Sequence, residues 1–111
     1  MVKTSQKNES TQSGGILDPE MRALGMIETR GLVACIEAAD AMAKAANISM
    51  TERRAIGGGY MTIMVRGDVG AVRTALEAGA KAAKQVGEVE SVKMLPNPSL
   101  LVEDILPNII A

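Results

Sequence analysis

Residues 55–72 read AIGGGYMTIMVRGDVGAV. Within them Tyr60, Thr62 and Met64 alternate with Met61, Ile63 and Val65, the period of a strand. Three glycines, Gly57 to Gly59, precede that strand. Before them Ile48 to Ile56 is a second extended run, where Ile48 and Met50 alternate with Ser49 and Thr51. Two strands joined by glycines, which supply backbone conformations other residues avoid, make a hairpin. After the second strand, Asp68 is placed to cap a helix expected over 69–86. Its apolar stripe is Val72, Leu76, Gly79, Ala83 and Val86, stepping by four and three.

The flanks repeat the pattern. Arg22 to Glu28 reads as a strand apolar on both faces, Leu24 and Met26 on one and Ala23, Gly25 and Ile27 on the other. A helix is expected over 30–46, with Leu32, Ile36, Ala39, Ala43 and Ala46 as its apolar stripe and Glu37, Asp40, Lys44 and Asn47 opposite. That stripe sits 40 residues ahead of the one in the second helix. Asp40 with Lys44, and Glu77 with Lys81, are charge pairs spaced i, i+4. A last strand over 89–95 is ended by Pro96 and Pro98, and a short helix follows near 99–105. The order strand, helix, strand, strand, helix, strand is the α+β, ferredoxin-like βαββαβ arrangement. It places a four-stranded antiparallel sheet under two helices on one face, plus the short C-terminal helix.

The chain has 111 residues and a formal net charge of -1, enough for one domain. Residues 1–20, MVKTSQKNESTQSGGILDPE, are polar and are expected to be a disordered tail, with Ile16 and Leu17 as the alternative of a small docking anchor. Residues 21–111 form the domain. It holds eight Met but no His, Phe or Trp, and a single Tyr. Histidine catalysis and His-ligated metal sites are thereby excluded, and one ring is too few for stacking on bases. No basic footprint points to nucleic acid, and no apolar run is long enough for a membrane span. The single cysteine, Cys35, cannot form an internal disulfide, which suits a reducing, cytoplasmic setting.

Few residues invite chemistry. Cys35 lies mid-helix beside apolar neighbours and reads as a packed side chain. Glu28, Asp68, Glu88 and Glu90 fall at strand ends and could pair as acid and base, but read better as surface groups and caps. No catalytic residue, metal ligand or cofactor is assigned. The glycine triplet is either a plain turn or a loop offering backbone N–H groups to an anion.

Three strings go further: ALGMIETRGLVACIEAADAMAKAANI (23–48), AIGGGYMTIMVRGDVGAV (55–72) and AGAKAAKQVGEVESVKMLPNP (78–98). In order and spacing they closely resemble the bacterial microcompartment shell domain in its single-domain, hexamer-forming version, as in propanediol, ethanolamine, glycyl-radical and carboxysome shells. The resemblance covers about residues 23–107. It implies a non-enzymatic shell subunit in the cytoplasm, built as a homo-hexamer that tiles with other shell proteins around encapsulated enzymes. By matching position, Ile56, Gly57, Gly58 and Gly59 fall on the pore loop, where small polar metabolites cross, and Lys44 on the hexamer–hexamer edge lysine. Asp40 and Asn47 frame that edge, and Asn97 stands where an interlocking Arg is frequent. Arg66 and Asp68 are expected to be structural. Ala55 replaces a common basic residue, Ser99 a frequent His, and Arg53 and Arg54 stand where Tyr and Glu are common. The alternative is a ligand-sensing regulatory domain on the same fold, trimeric or dimeric, which would not tile.

Overall fold

The computed structural model describes residues 22–110, so the tail expected over 1–20 lies outside the described residues. The elements are β1 (Ala23–Arg30), α1 (Leu32–Ala45), β2 (Ser49–Gly57), β3 (Tyr60–Gly67), α2 (Val69–Lys84), β4 (Glu88–Leu95) and α3 (Leu100–Ile110). The sheet order is β2-β3-β1-β4 and every neighbouring pair is antiparallel. This is the expected α+β architecture. β1 runs from Ala23 to Arg30 beside β3 from Gly67 to Tyr60, so the apolar central strands lie in the middle of the sheet.

Both long helices lie on one face. Ala23 and Ile27 of β1, with Met61, Ile63 and Val65 of β3, pack against Ala34, Cys35, Ala38 and Met42 of α1. From α2 they meet Val72, Ala75, Leu76 and Ala83. Ile27, Ile63, Val65 and Val72 are fully enclosed, and each such burial contributes about 1.5–3 kcal/mol. Gly25 makes the close approach possible. A Cβ there would come within 2.7 Å of Val72 Cγ1. Asp68 caps α2 as expected, accepting from the Ala71 N–H at 3.1 Å. Asp40 and Lys44 pair at 2.9 Å.

The stripe of α1 differs from its expectation. The buried residues are Ala34, Cys35, Ala38 and Met42, whereas Leu32 and Ile36 are about half exposed and Ala43 is also exposed. The buried set of α1 leads that of α2 (Ala75, Leu76, Gly79, Ala83) by 41 residues, not 40. That one-residue shift rotates the inward face by about 100°. Gly79 explains which register wins. The two helices touch closely, and α1 must present Ala38 and Met42 to the gap the glycine leaves.

α3 covers the other face. Leu24, Met26, Met64 and Leu95 meet Leu106 there. The helix is started by Ser99, whose Oγ accepts from the Val102 N–H at 3.4 Å, so Ser99 acts as a cap. It is then tied down by Arg66, whose two terminal nitrogens donate to the Glu103 carboxylate at 2.8 and 2.7 Å, Nη2 donating also to the Arg22 carbonyl at 2.9 Å. Arg66 is 8% exposed. Arg66→Met is expected to cost about 2–3 kcal/mol in urea unfolding, because it strips a carboxylate of its charged partner. Removing both partners for apolar groups is expected to cost less. A loss below about 0.5 kcal/mol for the single variant would show that the pair does not hold α3 in place.

Candidate functional site

The glycine triplet closes the β2–β3 hairpin. Gly57 pairs with Tyr60, so Gly58 and Gly59 form a two-residue loop. Their φ values are 66° and 86°, and Gly57 stands at 98°. Positive φ at both central residues is the requirement of a type I′ turn, whose twist matches that of its strands. Only glycine adopts such a run without strain. The loop is exposed, as are Ala55 and Ile56 before it.

The loop is supported from β1. The Gly59 carbonyl accepts from the Gly31 N–H at 2.6 Å. The Arg30 guanidinium lies 5.3 Å from the centroid of the Tyr60 ring and 4.0 Å from the Glu88 carboxylate of β4. Gly31 itself has φ 95° and precedes α1.

Lys44, Asn47 and Asn97 lie at the other end of the sheet, the first two beside edge strand β2 and Asn97 beside the opposite edge strand β4. Lys44 is the penultimate residue of α1. Asn47 follows it and precedes β2, whose first residue Ser49 pairs with Arg66 at the end of β3. Asn97 lies two residues beyond Leu95, which pairs with Leu24 at the start of β1. Asp40, Lys44, Asn47 and Asn97 are all exposed. Eight-residue strands separate the two ends by roughly 25 Å.

The carboxylates do not assemble into an acid–base pair. Glu28 accepts from the Ser91 hydroxyl at 3.2 Å, Asp68 caps α2, and Glu88 faces Arg30. Cys35 is enclosed, and burial pushes its thiol above the ordinary value. Among the described residues no cluster of acidic or thiol groups could hold a metal. Arg54 turns back to Glu52 at 2.7 Å.

Two features escaped the sequence reading. The outer face of α1 carries Leu32, Val33 and Ile36, and Ile36 shares with Met50, Ala39 and Arg53 a groove of about 420 Å³ between α1 and β2. Part of the signal was present, since Leu32, Ile36 and Ala39 belong to the apolar stripe, but periodicity does not say whether such a stripe faces the core of its own chain. The other is the support of the glycine loop by Arg30 and Gly31, which joins residues 28 and 30 positions apart and carries no local pattern.

A family model described as the BMC domain matches residues 23–98. The bacterial microcompartment shell protein PduA of Citrobacter freundii is 56% identical over 88 residues, covering 79% of this chain and 95% of its own length. The shell protein EutM of Escherichia coli is 55% identical over 87 residues, covering 78% of this chain and 90% of its own. Among solved structures, a microcompartment protein from Desulfitobacterium hafniense superposes with a TM-score of 0.65 at 34% identity. That match takes in 71% of this chain but only 43% of the longer one. The matched span runs from the start of β1 past the end of β4, so it contains the glycine hairpin, both long helices and Lys44, and the chain belongs to the BMC-domain family as a structural microcompartment shell protein, not an enzyme.

Proposed function

We propose that six copies of this chain close into a flat ring whose glycine loops meet at the axis, and that the rings tile through Lys44 into the facets of a shell in the cytoplasm. The observation that carries this reading is the placement of the two sites at opposite ends of one sheet. A subunit with its small, side-chain-free loop at one end and its exposed polar groups at the other can turn the first to a ring axis and the second to a neighbouring ring. The exposed apolar face of α1, Leu32, Val33 and Ile36 with Met50, gives each subunit a flank for its neighbour to cover, as large apolar patches are expected to be. Other shell proteins and the encapsulated enzymes are the further partners.

The loop then acts as a filter. Gly58 would stand at the narrowest point, with Ile56, Gly57 and Gly59 around it. A ring of backbone N–H groups favours small hydrogen-bonding and anionic solutes and offers nothing to apolar ones. Gly58→Leu is expected to reduce flux of small metabolites into assembled shells at least tenfold, because six isobutyl groups would fill the opening. The positive φ of Gly58 and the Tyr60 ring, 3.3 Å from its Cβ position, would add local strain. Normal flux in that variant would place the route elsewhere.

Negative-stain electron microscopy of the purified protein tests the whole reading. Six-fold discs with a central hole, tiling into sheets, are the expected result. Discs without sheets would leave the ring and remove the edge. Compact trimers or dimers would overturn the proposal in favour of a ligand-sensing regulator.

A further inference from the structure

We propose that the Arg30–Gly31 turn fixes the chemical preference of the pore loop, with Arg30 as the positioning residue. The proposal rests on the pore reading above and deepens it.

Three consecutive glycines have no side chains to pack, and glycine loses more conformational freedom on ordering than any other residue. Such a loop keeps one shape only through contacts made from outside it. Two are in place. The Gly31 N–H takes the Gly59 carbonyl at 2.6 Å. The Arg30 guanidinium sits over the ring of Tyr60, the residue that follows Gly59, and reaches toward Glu88 on the far side. Arg30 and Tyr60 are also directly opposite in the β1–β3 ladder. The clamp therefore spans β3, β1 and β4 at the loop end of the sheet.

The clamp decides which backbone groups the loop offers. In a two-residue hairpin the two central N–H groups lie outside the ladder. With the Gly59 carbonyl drawn back to Gly31, those two donors stand against a single free carbonyl, that of Gly58. The opening is then a ring of donors, suited to carboxylates and other small anions. If the clamp loosens, the Gly59 carbonyl loses its donor at Gly31 and the Gly58–Gly59 turn tilts while Tyr60 stays paired with Gly57, which brings that carbonyl to the opening as an acceptor. Arg30 thus sets anion preference through the loop's orientation, not by standing in the pore.

The test uses purified hexamers of the full chain carrying Arg30→Gln, Arg30→Lys, Tyr60→Leu or the pair Arg30→Gln with Tyr60→Leu. Amide exchange of the 57–61 segment reads the clamp. The acetate-to-potassium permeability ratio of hexamers in planar bilayers reads the preference. Arg30→Gln is expected to speed exchange by about two- to five-fold, the worth of an exposed cation–π contact, and to lower the permeability ratio by a similar factor. Tyr60→Leu is expected to do the same, and the pair no more than either alone. Arg30→Lys is expected to keep both values near those of the unaltered protein. A ratio that falls without faster exchange would mean that Arg30 acts by its own charge, and overturns the proposal. So would additive effects of the two substitutions, or no effect of Arg30→Gln while Gly58→Leu still closes the conductance. If Gly58→Leu leaves conductance unchanged, the pore reading itself fails.

Discussion

Gly79→Val is expected to lower the unfolding free energy by about 3–5 kcal/mol, a large part of what a domain of this size has. A Cβ at Gly79 would stand 2.6 Å from Met42 Cγ, 3.0 Å from Ile27 Cδ1 and 3.2 Å from the Ala38 carbonyl. Met42 and Ile27 are fully enclosed, so neither side chain has empty space to enter. The carbonyl belongs to the backbone of α1 and moves only if the helix moves. Alanine is the milder case. Its single methyl displaces Met42, and the gain in helix propensity, about 1 kcal/mol, offsets part of that. Valine adds two further carbons and forces α1 from α2, and overpacking of this kind costs more than the propensity returns. Gly70 supplies the control on the same helix. A Cβ there meets only the Asp68 carboxylate at 3.8 Å, so Gly70→Ala is expected to stabilise by about 0.5–1 kcal/mol. Urea denaturation of the three variants checks the set. A Gly79→Val protein as stable as the unaltered one would mean that the helices do not cross where the structure puts them.

The same crossing marks where the sequence was legible and where it was not. Strand alternation in Tyr60 to Val65 told both faces of β3 correctly, because a period of two leaves no intermediate choice: Met61, Ile63 and Val65 meet the helices and Met64 meets α3. Asp68 was legible because capping is local chemistry. The face of α1 was not, because the helix is apolar on two sides. Leu32 and Ile36 make the heavier stripe, yet small residues, Ala34, Cys35 and Ala38, are the ones that let α1 approach α2. Small volume selects the buried face here, and the bulkier Leu32, Val33 and Ile36 are left on the outer one. The Arg66–Glu103 pair was invisible for another reason. It joins residues 37 apart through a fold that had first to be assembled. The glycine loop could be located from its residues alone. Its support by Arg30 and Gly31 needed the register of β1 against β3.

Lys44→Ala is expected to abolish sheets while leaving six-membered rings intact. Lys44 is three-quarters exposed at the end of α1, and its ammonium pairs with Asp40 at 2.9 Å. An exposed i, i+4 pair contributes about 0.3–0.5 kcal/mol, so the variant's unfolding midpoint should scarcely move. The assembly effect is of another order because, in the proposed lattice, the edge contact would repeat on every side of every ring. A change too small to notice in one subunit multiplies along the edge and across the lattice. Lys44→Arg is expected to assemble poorly too, since a planar fork does not replace a compact ammonium. The hydrogen bond and charge of Asp40 raise the Lys44 pKa. The charged form therefore persists above the ordinary lysine range, and sheets held by it should be lost only as the pH rises through that raised value. Electron microscopy with sedimentation reads rings and sheets separately. Sheets that survive Lys44→Ala would end the edge assignment, and the same variant falling to single subunits would place Lys44 inside the ring instead.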